Sequence, residues 1–499
     1  MKPSTTSFPL RVTIVGGGYA GASAALQLVR RCPDPVAITI IEPRPQVGPG
    51  LAYSATDPDH RLNGTPATHW LDPSAPWEFQ AWCDERGIVV HDPEARTPEG
   101  RIFARRADFG AFIAEQVHAN AARPNGSTIR HLRTLARGAS HVSESWQVST
   151  ADGNVLASDL LLVATGNPNP RLPSPFAASL DAHPSIVLDP LIPDWRLAIP
   201  KSARVLVLGS GLTALDAVST LLRAGHDGPI TVVSRRGLRP RPQRPPIELP
   251  VATSPTWVLE RIEGDVPVFV KAAGRTPSLR TLMKGLRMHI SETVAQGATW
   301  HAAFDDLRDV VWQVWPTLPV QEQKRFLRQL RTWYDAHRFR APPQNDAMLR
   351  EAEREGRVAF LAARIHRAEA DAAGGPVEIG LTERGAKVER SAAFDVVVNC
   401  TGLDPQGRVN DNPFLGSLLD SGYMCIDACG IGIAVDAQCR AIGTDGRAEA
   451  SLRVIGPPTL GTFGDQLGGA FIAAQIHRIV PDLLATFNEQ RSRRTGRGA

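Results

Sequence analysis

Two stretches of the chain repeat one pattern of apolar and polar positions. In the first, residues 11–15 (RVTIV) form an unbroken apolar run, residues 21–30 follow with helical spacing, and residues 37–41 (AITII) are apolar again. In the second, residues 204–208 (RVLVL), 214–224 and 230–233 repeat the plan. Continuous runs of branched residues mark strands covered on both faces, and apolar positions three and four apart mark a helix packed on one side. The pattern therefore predicts two strand–helix–strand units joined by right-handed crossovers, and an α/β fold.

Shorter runs fill the space between and after these units. Residues 77–86 and 109–119 have helical spacing, residues 146–150 alternate up to an Asp152-Gly153 turn, and residues 160–164 (LLLVA) run into Thr165-Gly166. An Asp-Gly pair between alternating runs predicts a hairpin. Residues 357–362 and 378–387 read as strands, and residues 395–399 (DVVVN) run into Cys400-Thr401-Gly402. Each apolar strand ending in Thr-Gly is read as a crossing between domains. The expected division is a first domain over 8–175, with 167–175 as linker, a second over 200–391, and a return to the first over 392–486. The second domain carries an insertion over about 240–345. It opens with a Pro/Arg-rich loop, 239–246, and becomes helical around 279–330. Trp257, Trp300, Trp312, Trp315, Trp333 and Tyr334 are expected in its core. A strand at 452–455 and a helix over 469–484 close the chain.

Both turns between strand and helix are rich in glycine. In the first, Gly16 permits the tight turn, Gly18 lets a pyrophosphate approach the backbone and Gly21 lets helix and strand pack closely, which is the dinucleotide fingerprint. The helix N-terminus then faces the anion. Glu42 ends the next strand, where an acid accepts from both ribose hydroxyls and repels a 2′-phosphate, so this site suits the ADP half of FAD or NAD. The second turn is Gly209-Ser210-Gly211-Leu212-Thr213. Its second strand ends in Ser234-Arg235-Arg236, with no acid, and a guanidinium there suits the 2′-phosphate of NADP. NADPH is favoured over NADH on that ground. The complete pattern predicts two Rossmann-like domains, one for FAD and one for NAD(P)H.

Charge and cysteine content narrow the remaining classes. Over 499 residues, Lys+Arg number 55 against 51 for Asp+Glu, a net +4 that gives no reason to expect nucleic acid. The Arg-rich tail, 491–497, reads as a solvated terminus. Six scattered cysteines form no disulfide framework, and Cys425 and Cys429 lack the companions of a metal site. None lies between Cys32 and Cys83, which argues against dithiol chemistry beside a flavin. The start has no signal-peptide pattern and no stretch is long enough to span a membrane, so a soluble, cytoplasmic protein is expected. The partners expected are a small-molecule substrate and O₂, with oligomeric state open.

Gly16 to Gly21, the 50–54 block (GLAYS), the 60–67 block (HRLNGTPA), the 209–216 run (GSGLTALD), 234–238 (SRRGL) and Ile455-Gly456-Pro457 together resemble a family of two-dinucleotide FAD/NAD(P)-binding proteins. The resemblance covers most of the chain. Its better-defined relatives resemble FAD-dependent urate hydroxylases and N-monooxygenases acting on L-aspartate. It implies an FAD-dependent, NAD(P)H-consuming monooxygenase, with urate taken to 5-hydroxyisourate through a flavin C4a-hydroperoxide as the leading reading, in purine catabolism. An amino-acid N-hydroxylase and an NAD(P)H:acceptor reductase are the alternatives. It also implies that the closing helix faces the N1/O2 side of the flavin. Family members carry Gly-Asp directly after the last strand, where this chain has Gly456-Pro457, so Asp465 is the substitute. The flavin and nicotinamide candidates are Gly16, Gly18, Gly21, Glu42, Thr165, Gly166, Gly209, Gly211, Thr213, Arg235, Arg236, Gly402, Gly464 and Asp465. The substrate candidates are Arg105, Arg338 and Arg340 for charge, and Asn63, His60 and Gln243 for hydrogen bonds.

Overall fold

A computed structural model describes residues 9–176, 180–243, 257–370, 374–402, 409–465 and 467–496. Much of the Pro/Arg-rich loop, the side chain of Trp257 and the end of the Arg-rich tail lie outside the described residues. Of that tail, Arg491 is docked, paired with Asp34 and donating to the Pro35 carbonyl.

The first domain holds β1 (Leu10–Val15), β2 (Val36–Ile41), β3 (Thr128–Leu132), β4 (Ala136–Val142), β5 (Ser145–Thr150), β6 (Val155–Ser158) and β7 (Leu160–Val163). The second holds β8 (Ile186–Val187), β9 (Val205–Leu208), β10 (Ile230–Ser234), β11 (Val358–Ala370), β12 (Val377–Glu383), β13 (Arg390–Phe394) and β14 (Val396–Asn399). The chain then returns with β15 (Arg440–Ile442) and β16 (Ala448–Val454). The first sheet has the order β15-β16-β7-β1-β2-β3, the second β13-β12-β11-β10-β9-β14-β8, and β4-β5-β6 form a three-stranded flap on the first domain. β1 lies parallel between β2 and β7, and β9 parallel between β10 and β14. These are two Rossmann-like domains, as the paired apolar runs predict.

Each central strand is apolar because both faces are covered. All four residues of β7, β9 and β14 are buried. The first dinucleotide helix, Tyr19–Arg31, and the C-terminal helix, Gly469–Gly496, pack together on the first sheet. The second dinucleotide helix, Leu212–Arg223, packs against Pro343–Arg354 on the second.

Two boundaries differ from the sequence reading. Residues 343–354 form a regular helix, with Pro343 at its first position where a missing N–H costs nothing. That helix leads into β11, so the insertion ends just before it. β14 pairs with β9 and belongs to the second sheet, so the chain leaves the second domain at Thr401-Gly402 and not near residue 392.

The insertion comprises Trp257–Ile262, Val268–Ala272, Leu279–Ala295, Trp300–Asp309, Val320–Gln329 and Arg331–Arg338, with shorter turns between. It is anchored on the first domain: Val258 and Ile262 join that domain's core. Trp315 is buried and donates through Nε1 to the Gly461 carbonyl at 2.7 Å, Trp312 donates to Ile262, and Trp300 stacks on His301. Trp333 departs from the expected core position and is 42% exposed.

The two dinucleotide domains meet on a polar stripe. Asp216, Ser219, Thr220 and Arg223 lie three and four apart, hence on one face of the second dinucleotide helix. Arg106 reaches Asp216 at 2.6 Å, His60 Nε2 lies 3.0 Å from Thr220 Oγ1, Asp59 binds Arg223 at 2.7 Å, and Asn345 bridges Ser219 and the Asp59 carbonyl. Burial pushes the Asp216 carboxyl up, and the Arg106 guanidinium opposes that shift. Removing one partner of such a pair strands a buried charge. Arg106→Leu is therefore expected to cost about 3 kcal/mol in a urea titration, with Arg106→Leu/Asp216→Leu recovering most of it. A double variant no more stable than the single one would refute this account of the interface.

Candidate functional site

The first turn is a backbone cradle. Gly16 has φ +103°, and a Cβ there would stand 2.3 Å from the Ala164 carbonyl oxygen. A Cβ on Gly21 would stand 2.0 Å from Gly16 O, so helix and strand touch through that glycine. Gly18 precedes the helix in extended backbone, with the loop at Gly50 3.4 Å from its Cβ position. Glu42 is 4% exposed and accepts from the Gly17 and Arg44 N–H groups at 2.9 and 3.0 Å. These bonds fix its carboxylate at the end of β2. Thr165 follows β7 and faces the same turn, and its Oγ1 is buried with no partner among the described residues. A glycine cradle, a held carboxylate and an orphaned hydroxyl fit an adenine dinucleotide.

The second turn repeats the geometry. Gly209 has φ +94°, and a Cβ there would stand 2.4 Å from the Cys400 carbonyl oxygen. Gly211 has open space, with no heavy atom within 4 Å of its Cβ position, and Thr213 is the second residue of the helix that follows. Ser210 Oγ donates to Ser234 Oγ at 2.8 Å, tying the turn to the end of β10. Gly166 and Gly402 occupy matching places after the two crossing strands, with φ +74° and +77°. Of the two arginines after β10, Arg235 is exposed, whereas Arg236 donates to the Gln329 and Arg328 carbonyls at the end of an insertion helix. Arg236 is thus a tether for the insertion.

Where the insertion meets the returning chain, charged and aromatic groups converge. Arg338 Nε donates to Asp465 Oδ2 at 2.7 Å, and the two side chains are 8% and 3% exposed. Tyr334 Oη lies 3.4 Å from the same oxygen, and the Arg338 guanidinium lies over the Phe339 and Phe471 rings. Gly464, φ +81°, packs on the Trp315 ring. The first turn of the C-terminal helix lies beside this cluster, with Tyr19 Cζ and Tyr53 Oη both 3.1 Å from the Cβ position of Gly469. Burial pushes the Tyr53 hydroxyl up to about 12 and those of Tyr19 and Tyr334 upward as well, so all three are protonated donors at neutral pH. His69, under Phe109, is pulled down to about 4 by burial and is neutral. Tyr19, Tyr53 and His69 were given no role in the sequence, because an isolated aromatic carries no periodic signal, and Tyr334, expected in the core of the insertion, faces Asp465.

The remaining candidates lie elsewhere. Arg340 is buried inside the insertion, paired with Asp305 at 2.8 Å and donating to the His301 and His337 carbonyls. This corrects its reading as a substrate cation, since its donors are spent on holding two insertion helices together. Arg105 precedes the helix Arg106–Ala119 and pairs with Asp92 at 3.0 Å, which also holds the buried Arg61. His60 is taken up by the domain interface. Gln243 donates to the backbone carbonyl of Asn63, and the Asn63 side chain is half-buried.

Residues 13–168 match the FAD-NAD(P)-binding family model. FAD and a nicotinamide dinucleotide are the cofactors of the two units. No curated protein sequence matches the chain. Among solved structures, ornithine N-hydroxylase of Kutzneria sp. 744, recorded with reduced FAD, NADP⁺ and L-ornithine, is similar at a TM-score of 0.63 and 16% identity, over 95% of this chain and 99% of that one. L-lysine 6-monooxygenase of Pseudomonas syringae is similar at 0.62 and 17%, over 95% and 99%. The FAD-bound cadaverine monooxygenase of desferrioxamine biosynthesis in Erwinia amylovora is similar at 0.61 and 12%, over 96% and 95%. At such identities the likeness is one of fold, and it takes in the whole two-domain layout. Among the described residues no helix is long and apolar enough to cross a membrane.

The two turns make separable predictions. Gly209→Ala, strained at φ +94° and against the Cys400 carbonyl, is expected to lower the melting temperature by several degrees. Gly211→Ala should leave melting and flavin content intact while weakening NADPH in a binding titration. Equal melting losses from both would show that the open space at Gly211 has no role in binding.

Proposed function

We propose that this chain is an FAD-dependent, NAD(P)H-consuming monooxygenase that hydroxylates the nitrogen of a primary amine. The observation that carries the reading is the shared layout over nearly the full length of amine N-hydroxylases. The balance is RNH₂ + O₂ + NAD(P)H + H⁺ → RNHOH + NAD(P)⁺ + H₂O. FAD, when bound, takes hydride from the nicotinamide and in its reduced form activates O₂.

The chain's own groups have defined tasks in this scheme. Gly16, Gly18 and Gly21 bring the first helix N-terminus onto the FAD pyrophosphate, Glu42 holds the adenosine ribose, and Thr165 and Gly166 line the path of the ribityl chain. Gly209, Gly211 and Thr213 do the same for the nicotinamide dinucleotide, and Arg235 meets its 2′-phosphate, while Gly402 and Gly464 let the backbone turn at the crossing and beside the flavin. Tyr19, Tyr53, neutral His69 and the phenylalanines around them pack ring on ring and would exclude water from the reacting end of bound FAD.

Urate hydroxylation has weaker support. The neighbours named above act on amines, and all three cations that an anionic purine would use, Arg105, Arg338 and Arg340, are paired with carboxylates, Asp92, Asp465 and Asp305.

The deciding assay follows NADPH consumption with L-ornithine, L-lysine, L-aspartate, cadaverine and urate, measuring hydroxylamine and peroxide together. Hydroxylamine matching NADPH for one amine is the expected result. Coupling to urate alone, or peroxide accounting for all the NADPH with every compound, would reject the reading. Arg235→Glu should raise the KM for NADPH at least tenfold while changing that for NADH little, because only NADPH brings a 2′-phosphate to the carboxylate; equal effects would remove Arg235 from the phosphate site.

A further inference from the structure

The mechanism above leaves one buried charged pair without a task. Arg338 comes from the last helix of the insertion, and its guanidinium is more than nine-tenths buried. Nε is spent on Asp465 Oδ2 at 2.7 Å, but Nη2 has no hydrogen-bond partner among the described residues. That nitrogen lies 3.0 Å from the Cβ position of Gly468, immediately before the C-terminal helix Gly469–Gly496. The guanidinium carbon lies 4.6 and 4.8 Å from the centroids of the Phe339 and Phe471 rings. On the other partner, Asp465 Oδ1 is likewise buried and unpartnered. A donor and an acceptor left open side by side, next to a helix N-terminus, form a corner that favours negative charge on a ligand that also offers an N–H.

Tyr19 gives the direction in which such a ligand lies. It is the first residue of the helix that begins at the glycine cradle, and its ring reaches the first turn of the C-terminal helix. A dinucleotide running from the cradle past Tyr19 brings its flavin end to Gly468-Gly469. The pyrimidine edge of a flavin carries carbonyl oxygens beside an N–H, and it takes up negative charge at N1 and O2 on reduction.

We infer that Arg338 is a cation facing the pyrimidine edge of the flavin, that Asp465 is its counter-charge, and that the pair sets how strongly this protein prefers reduced over oxidised FAD. The insertion would then tune the flavin as well as cover it. This inference rests on FAD binding and not on the identity of the substrate.

The test is the two-electron midpoint potential of the FAD in substrate-free holoenzyme, measured by dye equilibration for the wild type, Arg338→Met, Arg338→Lys and Asp465→Asn. Arg338→Met is expected to weaken the preference for reduced flavin at least tenfold, which for a two-electron couple is a fall of about 30 mV. Arg338→Lys should restore most of the loss by keeping the charge. Asp465→Asn should move the potential the other way, because it removes the anion that offsets Arg338. Shifts of opposite sign from the two halves of one ion pair separate an electrostatic role from loss of structure, which would move both variants alike. The inference is overturned if the potential is unchanged in Arg338→Met, if Met and Lys lower it equally, or if Arg338→Met and Asp465→Asn shift it in the same direction. Loss of amine binding by Arg338→Met at an unchanged potential would also overturn it and assign the guanidinium to the substrate.

Discussion

The architecture depends on two places where backbone touches backbone. In each domain the glycine that opens the dinucleotide turn lies against the last carbonyl of the neighbouring crossing strand, Ala164 for Gly16 and Cys400 for Gly209. Contacts at 2.3–2.4 Å from a Cβ position leave no room for any side chain, and both glycines hold a positive φ. The consequence reaches beyond the turn. Because the crossing strand ends against the cradle, the residues after it, Thr165-Gly166 and Thr401-Gly402, are delivered to the mouth of the nucleotide site at the point where the chain changes domain. One steric constraint thus shapes both the turn and the place where the polypeptide crosses.

A second constraint follows from splitting the first domain around the second. The halves of the first sheet are held by β7 lying between β1 and β16, and the second domain is locked on by a polar stripe, not an apolar one. An apolar interface would have served for adhesion alone. Ion pairs and hydrogen bonds with defined partners fix register as well, and a hydride donor and its acceptor on different domains need register. The insertion adds a third clamp: Arg236 closes the end of one of its helices from the second domain, while Trp315 and Arg338 seat it on the returning chain.

The parts legible in the sequence are those whose physics is local. Unbroken apolar runs disclosed β1, β2, β9 and β10, and the glycine spacing disclosed both turns, because a parallel strand and a tight turn each impose residue types on consecutive positions. Pairings between distant positions left no such trace. Nothing near Arg340 indicates Asp305, nothing near Arg105 indicates Asp92 and nothing near Arg338 indicates Asp465, so a reading by residue type took as open cations three arginines that are paired with carboxylates in the folded chain. The polar stripe on Leu212–Arg223 was legible in principle, since Asp216, Ser219, Thr220 and Arg223 repeat at helical spacing. It departs from the usual meaning of such a stripe, which is solvent, because the first domain covers it.

The Arg338–Asp465 pair shows why buried charge deserves a functional reading here. Moving both groups out of water costs several kcal/mol each, and their mutual attraction regains that only when the remaining donors and acceptors are also satisfied. Arg453 meets that condition: its three nitrogens reach the Ala450 and Gln438 carbonyls, Thr486 and Asp482. Arg340 meets it as well, with Asp305 and two carbonyls. Arg338 does not, although it is as deeply buried, and neither does its partner carboxylate. Arg453 and Arg340 thus have a partner for each guanidinium nitrogen, whereas Arg338, beside the start of the C-terminal helix, has a buried nitrogen left open among the described residues. Its incomplete bonding is a property of the place it occupies, at the seam where the insertion, the returning chain and the dinucleotide helix meet.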